Sequence, residues 1–177
     1  MWQASREHRH QKNALIGHLY RPGTLYTQET VETLDHDFPS LADGVVMPHG
    51  IYDLRQNHGS VTLGTSHATS AFACDCLRQW WQTYGQLQYP TADSLLLLCD
   101  GGGSNSARTS LFKADLTQLV QDLGLEIRVA HYPPYTSKYN PIAHRLFPHL
   151  TRACQGVIFT SVELVQELMA KTHTKTG

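Results

Sequence analysis

Apolar positions fall into a short series of runs whose spacing assigns most of the elements. Leu95 to Leu98 with Cys99 form the densest run and show no period-2 alternation. That is the pattern of a strand buried on both faces in a sheet covered by helices. Upstream, Ala14 to Leu19 predicts a short strand ending before the Arg21-Pro22-Gly23 turn, and residues 24–44 read mostly as loop. Residues 50–54 and 60–64 flank Asn57-His58-Gly59, which predicts a hairpin. From Thr69 to Tyr84 the period changes. Phe72, Ala73, Cys76, Leu77, Trp80, Trp81 and Tyr84 recur at three and four, predicting an amphipathic helix that ends near Gly85. Its Trp pair is expected to pack the helix on the sheet.

Beyond the leucine run the same reasoning continues. Residues 108–123 predict a helix stopped by Gly124, and residues 125–130 alternate as a strand. Pro133, Pro134 and Pro141 impose an extended loop, with Pro141 in the first turn of a helix behind Asn140. Ser161 opens a last helix running to Ala170. The fold class is α/β, a mixed sheet flanked by helices.

Composition narrows the setting. The chain has 177 residues, 41% hydrophobic and 16% charged, with formal net charge −1. It is one domain of ordinary size, residues 14–177, preceded by a polar segment 1–13 expected to be frayed. Near-zero charge does not advertise nucleic-acid binding. No apolar run approaches the ~18 residues of a membrane span and no signal peptide is evident, so the expected location is cytoplasmic. The four cysteines lack metal-ligand or redox spacing and read as core residues.

The candidate chemistry centres on Asp100. A carboxylate at the end of a buried strand, followed by three glycines, stands uncovered at the carboxyl edge of the sheet, where open α/β sheets bind ligands. It suits a hard cation such as Mg²⁺. The alternative is an Asp that merely caps the following helix.

Three motifs together carry a family resemblance: D-G-G-G-S-N (100–105), H-Y-P-P-Y-T-S-K-Y-N (131–140) and I-A-H-R-L-F (142–147). With residues 50–54, the Trp80-Trp81 helix and residues 172–177, they resemble the DDE transposases of ISAzo-type bacterial insertion sequences. The resemblance implies an RNase H-like fold. It implies DNA transposition by metal-dependent phosphoryl transfer, with three carboxylates holding two Mg²⁺ or Mn²⁺ ions. Asp100 matches the second carboxylate. Lys138, His144 and Arg145 match positions suited to DNA phosphate contacts. The implied partners are DNA at transposon ends, further copies of the chain, or a full-length transposase.

Two departures change the expectation. Where the family has its third carboxylate, a Glu, this chain has Ala143, flanked by Ile142 and His144. The first carboxylate, an Asp on the first strand, falls at Arg9 or a close neighbour, where Glu7 is the only acid. The first strand is expected to be incomplete and the family's N-terminal helix-turn-helix region absent. The chain therefore reads as an N-terminally truncated, inactive transposase fragment. Three alternatives stand beside it: a nuclease using Asp53 or Glu7 as substitute acids, a non-enzymatic module that associates with an intact transposase, and a hydrolase pairing Asp100 with His131 or His144.

Overall fold

Three parallel strands and an antiparallel hairpin form one mixed sheet. The computed structural model describes residues 2–5, 14–35, 39–65, 69–99, 110–133 and 136–173. Its strands are β1 (Trp2–Ser5), β2 (Ala14–Ile16), β3 (Gly44–Asp53), β4 (His58–Gly64), β5 (Ser94–Cys99) and β6 (Glu126–His131). Its helices are α1 (Ser70–Trp80), α2 (Gln86–Gln88), α3 (Ser110–Leu123), α4 (Pro141–Arg145), α5 (Phe147–Ala153) and α6 (Val162–Ala170). β3 is the hub, pairing antiparallel with β1, β2 and β4. β1 then pairs parallel with β5, and β5 with β6. The α/β class and the mixed, helix-flanked sheet are as the sequence predicts.

The first strand is where expectation and structure part. Trp2–Ser5, part of the segment expected to fray, lies between β3 and β5, paired on both sides; the rest of residues 1–13 lies outside the described residues. Its sequence, W-Q-A-S, has no alternation to announce a strand; two neighbouring backbones with open hydrogen-bonding edges supply the conformation. It spans four residues against ten in β3, so the central strand is short. The apolar run 14–19 yields only the three residues of β2. Gly17 takes φ +124° there and donates its N–H to the Phe159 carbonyl at 2.7 Å, which ends the pairing.

β3 begins at Gly44, well before the predicted residue 50, and carries Pro48 in its interior. A missing N–H is tolerated because Met47 to His49 pair with β4 alone; β1 joins only from Gly50 onward. The turn occupies Leu54 to Asn57, with Asn57 at φ +54°, and His58 and Gly59 of the predicted turn already belong to β4.

Thr69 caps α1 by accepting from the Phe72 N–H at 3.1 Å, and Ser161 caps α6 by accepting from Leu164 at 3.2 Å. Gly124, at φ +64°, stops α3. Gly85 does not stop its helix. A π turn over Trp81–Gly85 leads directly into α2. Gly85 keeps helical angles, and a Cβ there would lie 2.5 Å from atoms of both indoles, so close packing selects the residue.

Side chains alternate across the sheet. Ile51, Leu95, Leu97 and Cys99 face α1 and α3, where Trp80, Trp81 and Leu119 complete the main core. Tyr52 faces Ile142, Leu146, Phe147 and Leu150 of the α4–α5 segment. Leu96 and Leu98 are only half-buried, so β5 is not covered equally on its two faces. A third cluster joins β2 to α6 through Val46, Phe159 and Val165. All four cysteines are buried, and burial pushes the Cys74 thiol up to about 12 and Cys76 to about 11. Burial raises Cys154 as well, and all four are core side chains.

Candidate active site

The carboxyl edge of the sheet is built by β1, β5 and β6, which end at Ser5, Cys99 and His131. Register fixes their relation. Trp2 pairs with Leu97 and Gln3 with Leu98, so the end of β1 lies beside the end of β5. Cys99 pairs with His131, and the Tyr132 N–H donates to the Cys99 carbonyl at 2.9 Å, tying the next residue of the Pro-rich loop to the same edge. Asp100 follows Cys99 directly in sequence and lies outside the described residues, as do Glu7 and Arg9.

α4 closes the site from the other face. It rests on β1 and β3, and Ile142, fully buried, lies against Gly50, the residue paired with Ser5. Pro141 takes the first turn as predicted. Asn140 holds the N-cap position, but its buried side chain makes no capping bond to the helix. Ala143, next to Ile142, is half-buried. The helix that the resemblance charges with the third carboxylate is therefore in place, with a methyl group at the position.

The other carboxylate near a strand end is committed elsewhere. Asp53 is 1% exposed. Its Oδ1 accepts from the backbone N–H groups of Arg55 at 2.9 Å and Gln56 at 3.2 Å, and its Oδ2 accepts from the Tyr89 hydroxyl at 2.8 Å. Burial and the Asp53 carboxylate together push the Tyr89 phenol up to about 12. Asp53 pairs with Trp2, whereas Gly50 pairs with Ser5. Three residues along a strand separate it from the rim by roughly 10 Å. Its job is to hold the hairpin turn.

The expected phosphate contacts diverge. Lys138 is exposed in the turn before α4, its ammonium 4.9 Å from the Tyr139 ring centroid. His144 Nε2 lies 2.9 Å from the Lys138 carbonyl; that oxygen can only accept, so Nε2 donates. Arg145 reaches away from the rim, with Nη1 3.5 Å from Asn57 Oδ1 at the hairpin turn.

Among the described residues the donor set does not fit a pair of divalent cations. β1 contains no acid, and α4 offers none. Among the described residues no group of three His, Cys, Asp or Glu side chains is placed to hold a metal ion. Also among them, no helix is long and apolar enough to cross a membrane.

Comparison with known proteins gives the site its context. Residues 9–177 match the model of a family described as the Rhodopirellula transposase DDE domain. No curated protein matches the chain. The structure resembles a chain in the crystal structure of the Mos1 strand transfer complex, with a TM-score of 0.60 and 15% identity. That likeness covers 96% of this chain and 46% of the other, so this chain spans about half the length of its neighbour. A chain in the cryo-EM structure of the simian T-cell lymphotropic virus intasome with the PP2A regulatory subunit B56 gamma matches at a TM-score of 0.49 and 14% identity. That match covers 94% of this chain and 51% of the other. The Mos1 likeness shows the sheet to be of the RNase H-like type.

Proposed function

Because the chain belongs to the family of the Rhodopirellula transposase DDE domain, we propose that it is a fragment of an insertion-sequence transposase that no longer performs DNA transposition. The observation that carries this reading is the pairing of an acid-free β1 with a helix α4 that bears Ala143. Two-metal phosphoryl transfer needs carboxylates that bridge both ions and fix their separation. Asp100 alone supplies one. Losing the metal pair forfeits most of the ~10⁶-fold or greater acceleration such an enzyme supplies.

What this chain's own residues retain is the scaffold. β5 and β6 end side by side, Asp100 follows β5 directly in sequence, and Lys138 is exposed in the turn before α4, free to meet a phosphate. DNA is the ligand class that suits this arrangement, and the protein acts on it, if at all, by occupancy. A second reading follows from the same core. The three buried clusters are intact although the acids are lost, which favours a non-enzymatic module that pairs with itself or with an intact transposase.

Calorimetric titration with Mn²⁺ tests the main reading. Fewer than two ions per chain, bound no more tightly than by Asp100→Ala, is the expected result. Two ions bound at micromolar concentration and lost in that variant would refute it.

A further inference from the structure

β4 is an edge strand. It pairs with β3 over His58–Gly64, and no strand among the described residues pairs with its other side. Pro48 settles which backbone groups that side presents. It faces Leu63 and has no N–H to give, so the ladder bonds fall on His49–Thr62, Ile51–Ser60 and Asp53–His58. The N–H and C=O groups of Gly59, Val61 and Leu63 therefore point outward. Native sheets ordinarily guard such an edge with charge or proline. The opposite edge does so: β6 carries exposed Glu126 and Arg128, paired at 2.8 Å. β4, with the sequence H-G-S-V-T-L-G, has no Lys, Arg, Asp, Glu or Pro.

The two faces of β4 differ. His58 stacks on Tyr84, Thr62 meets Cys76 and Gly64 lies against Phe72, so α1 and the turn after it close one face. On the other, Leu146 rests on Gly59, where a Cβ would lie 2.6 Å from its Cδ1. Beyond that contact the cover is incomplete. Val61, Leu63 and Met169 stay half-buried around a cleft of about 330 Å³ between β4, α5 and α6. The cleft continues past Gly59, Leu146 and Thr172 into the space lined by Asn57 and Arg145. Arg145 is exposed there, with Nη1 3.5 Å from Asn57 Oδ1. Among the described residues no carboxylate lines either part.

We propose that this edge docks an extended peptide segment of a protein partner, added to the sheet as a strand beside β4. Its backbone pairs with Gly59, Val61 and Leu63. Side chains on one face of a strand recur every second residue. An apolar residue over Val61 and Leu63, with an acidic one two or four positions away, therefore reaches both the cleft and Arg145. The half-covered apolar surface selects the first. A guanidinium with no carboxylate across the cleft selects the second. The proposal uses no part of the carboxyl rim and stands whether or not the chain still transposes DNA.

The probe is the labelled peptide T-L-T-L-T-E-T, titrated into the full chain, with T-L-T-L-T-K-T as its charge-reversed counterpart. Amide hydrogen exchange read by NMR should show Gly59, Val61 and Leu63 slowed by the first peptide. That peptide should bind about tenfold or more tightly than the second, and Arg145→Gln should bring the ratio to within about twofold. Val61→Lys, checked for native circular dichroism, puts a charge on the edge and should weaken both peptides by about tenfold or more. No binding at about 1 mM peptide, or edge amides already protected in the free protein, would overturn the site. Equal affinity of the native chain for both peptides would overturn the acidic residue. A short DNA duplex that protects the same amides and displaces the peptide would overturn the choice of a peptide partner. Each of these outcomes leaves the transposase reading to the Mn²⁺ titration.

Discussion

Ile142 is seated on Gly50. A Cβ at Gly50 would lie 3.1 Å from Ile142 Cδ1 and 3.0 Å from Phe147 Cζ, so the missing side chain lets α4 and α5 rest directly on β3. Gly50 pairs with Ser5, and this contact sets the height of α4, and with it Ala143, relative to the end of β1. Ile142→Ala empties a fully buried site and is expected to cost about 2–5 kcal/mol in denaturant unfolding.

Asp53 is expected to behave as a structural acid. Asp53→Ala leaves two backbone N–H groups and the Tyr89 hydroxyl without their acceptor. A loss of about 1.5–3 kcal/mol is expected, read from the urea midpoint at constant m-value. Mn²⁺ binding should not change, whereas a metal-dependent phenotype would return Asp53 to the catalytic question.

Stability should fall on the alkaline side. Tyr89 is raised to about 12, Cys76 to about 11 and Cys74 to about 12, each chiefly by burial. A group whose folded pKa lies above its unfolded value contributes stability that is complete below the unfolded value and disappears as pH rises through the folded one. Loss should therefore begin near pH 9, from the two thiols, and continue to about pH 12. Tyr89→Phe should flatten the portion above about pH 10. At pH 8 the native thiols should resist alkylation on the timescale that labels unfolded chain.

The segment after β2 is clamped to the α5–α6 connection. Gly156 donates its N–H to the Pro22 carbonyl at 3.0 Å, and a Cβ at Gly23 would lie 2.3 Å from Gly156 N. Gly23 also has φ +136°. Beside it, the Arg21 guanidinium lies 3.6 Å over the Phe159 ring. Gly23→Ala is expected to cost about 1–3 kcal/mol and to raise proteolytic cleavage within residues 20–35, whereas Gly124→Ala, with nothing near its Cβ, should act only through its positive φ.

Local chemistry made several elements legible in the sequence. Thr69, Ser161 and Gly124 act where their side chains, or lack of one, predict. The unread features depend on what meets what in space. Gly85 looks like a helix stop but was selected by two indoles, and Gly17 cuts short an apolar run that promised a longer strand. Trp2–Ser5 becomes a strand through its neighbours' edges, so the segment gave no signal of its own. At the site, Ala143 stands where the resemblance expects a Glu, and the structure adds that α4 packs on β1 and β3.

Strand cleavage and strand transfer on duplex DNA, with Mg²⁺ or Mn²⁺, test the central claim most directly. The account predicts no metal-dependent product from the native chain beyond that of Asp100→Ala, and none from Ala143→Glu alone, since β1 would still lack its acid. Product formed by the native chain and abolished in Asp100→Ala would contradict it.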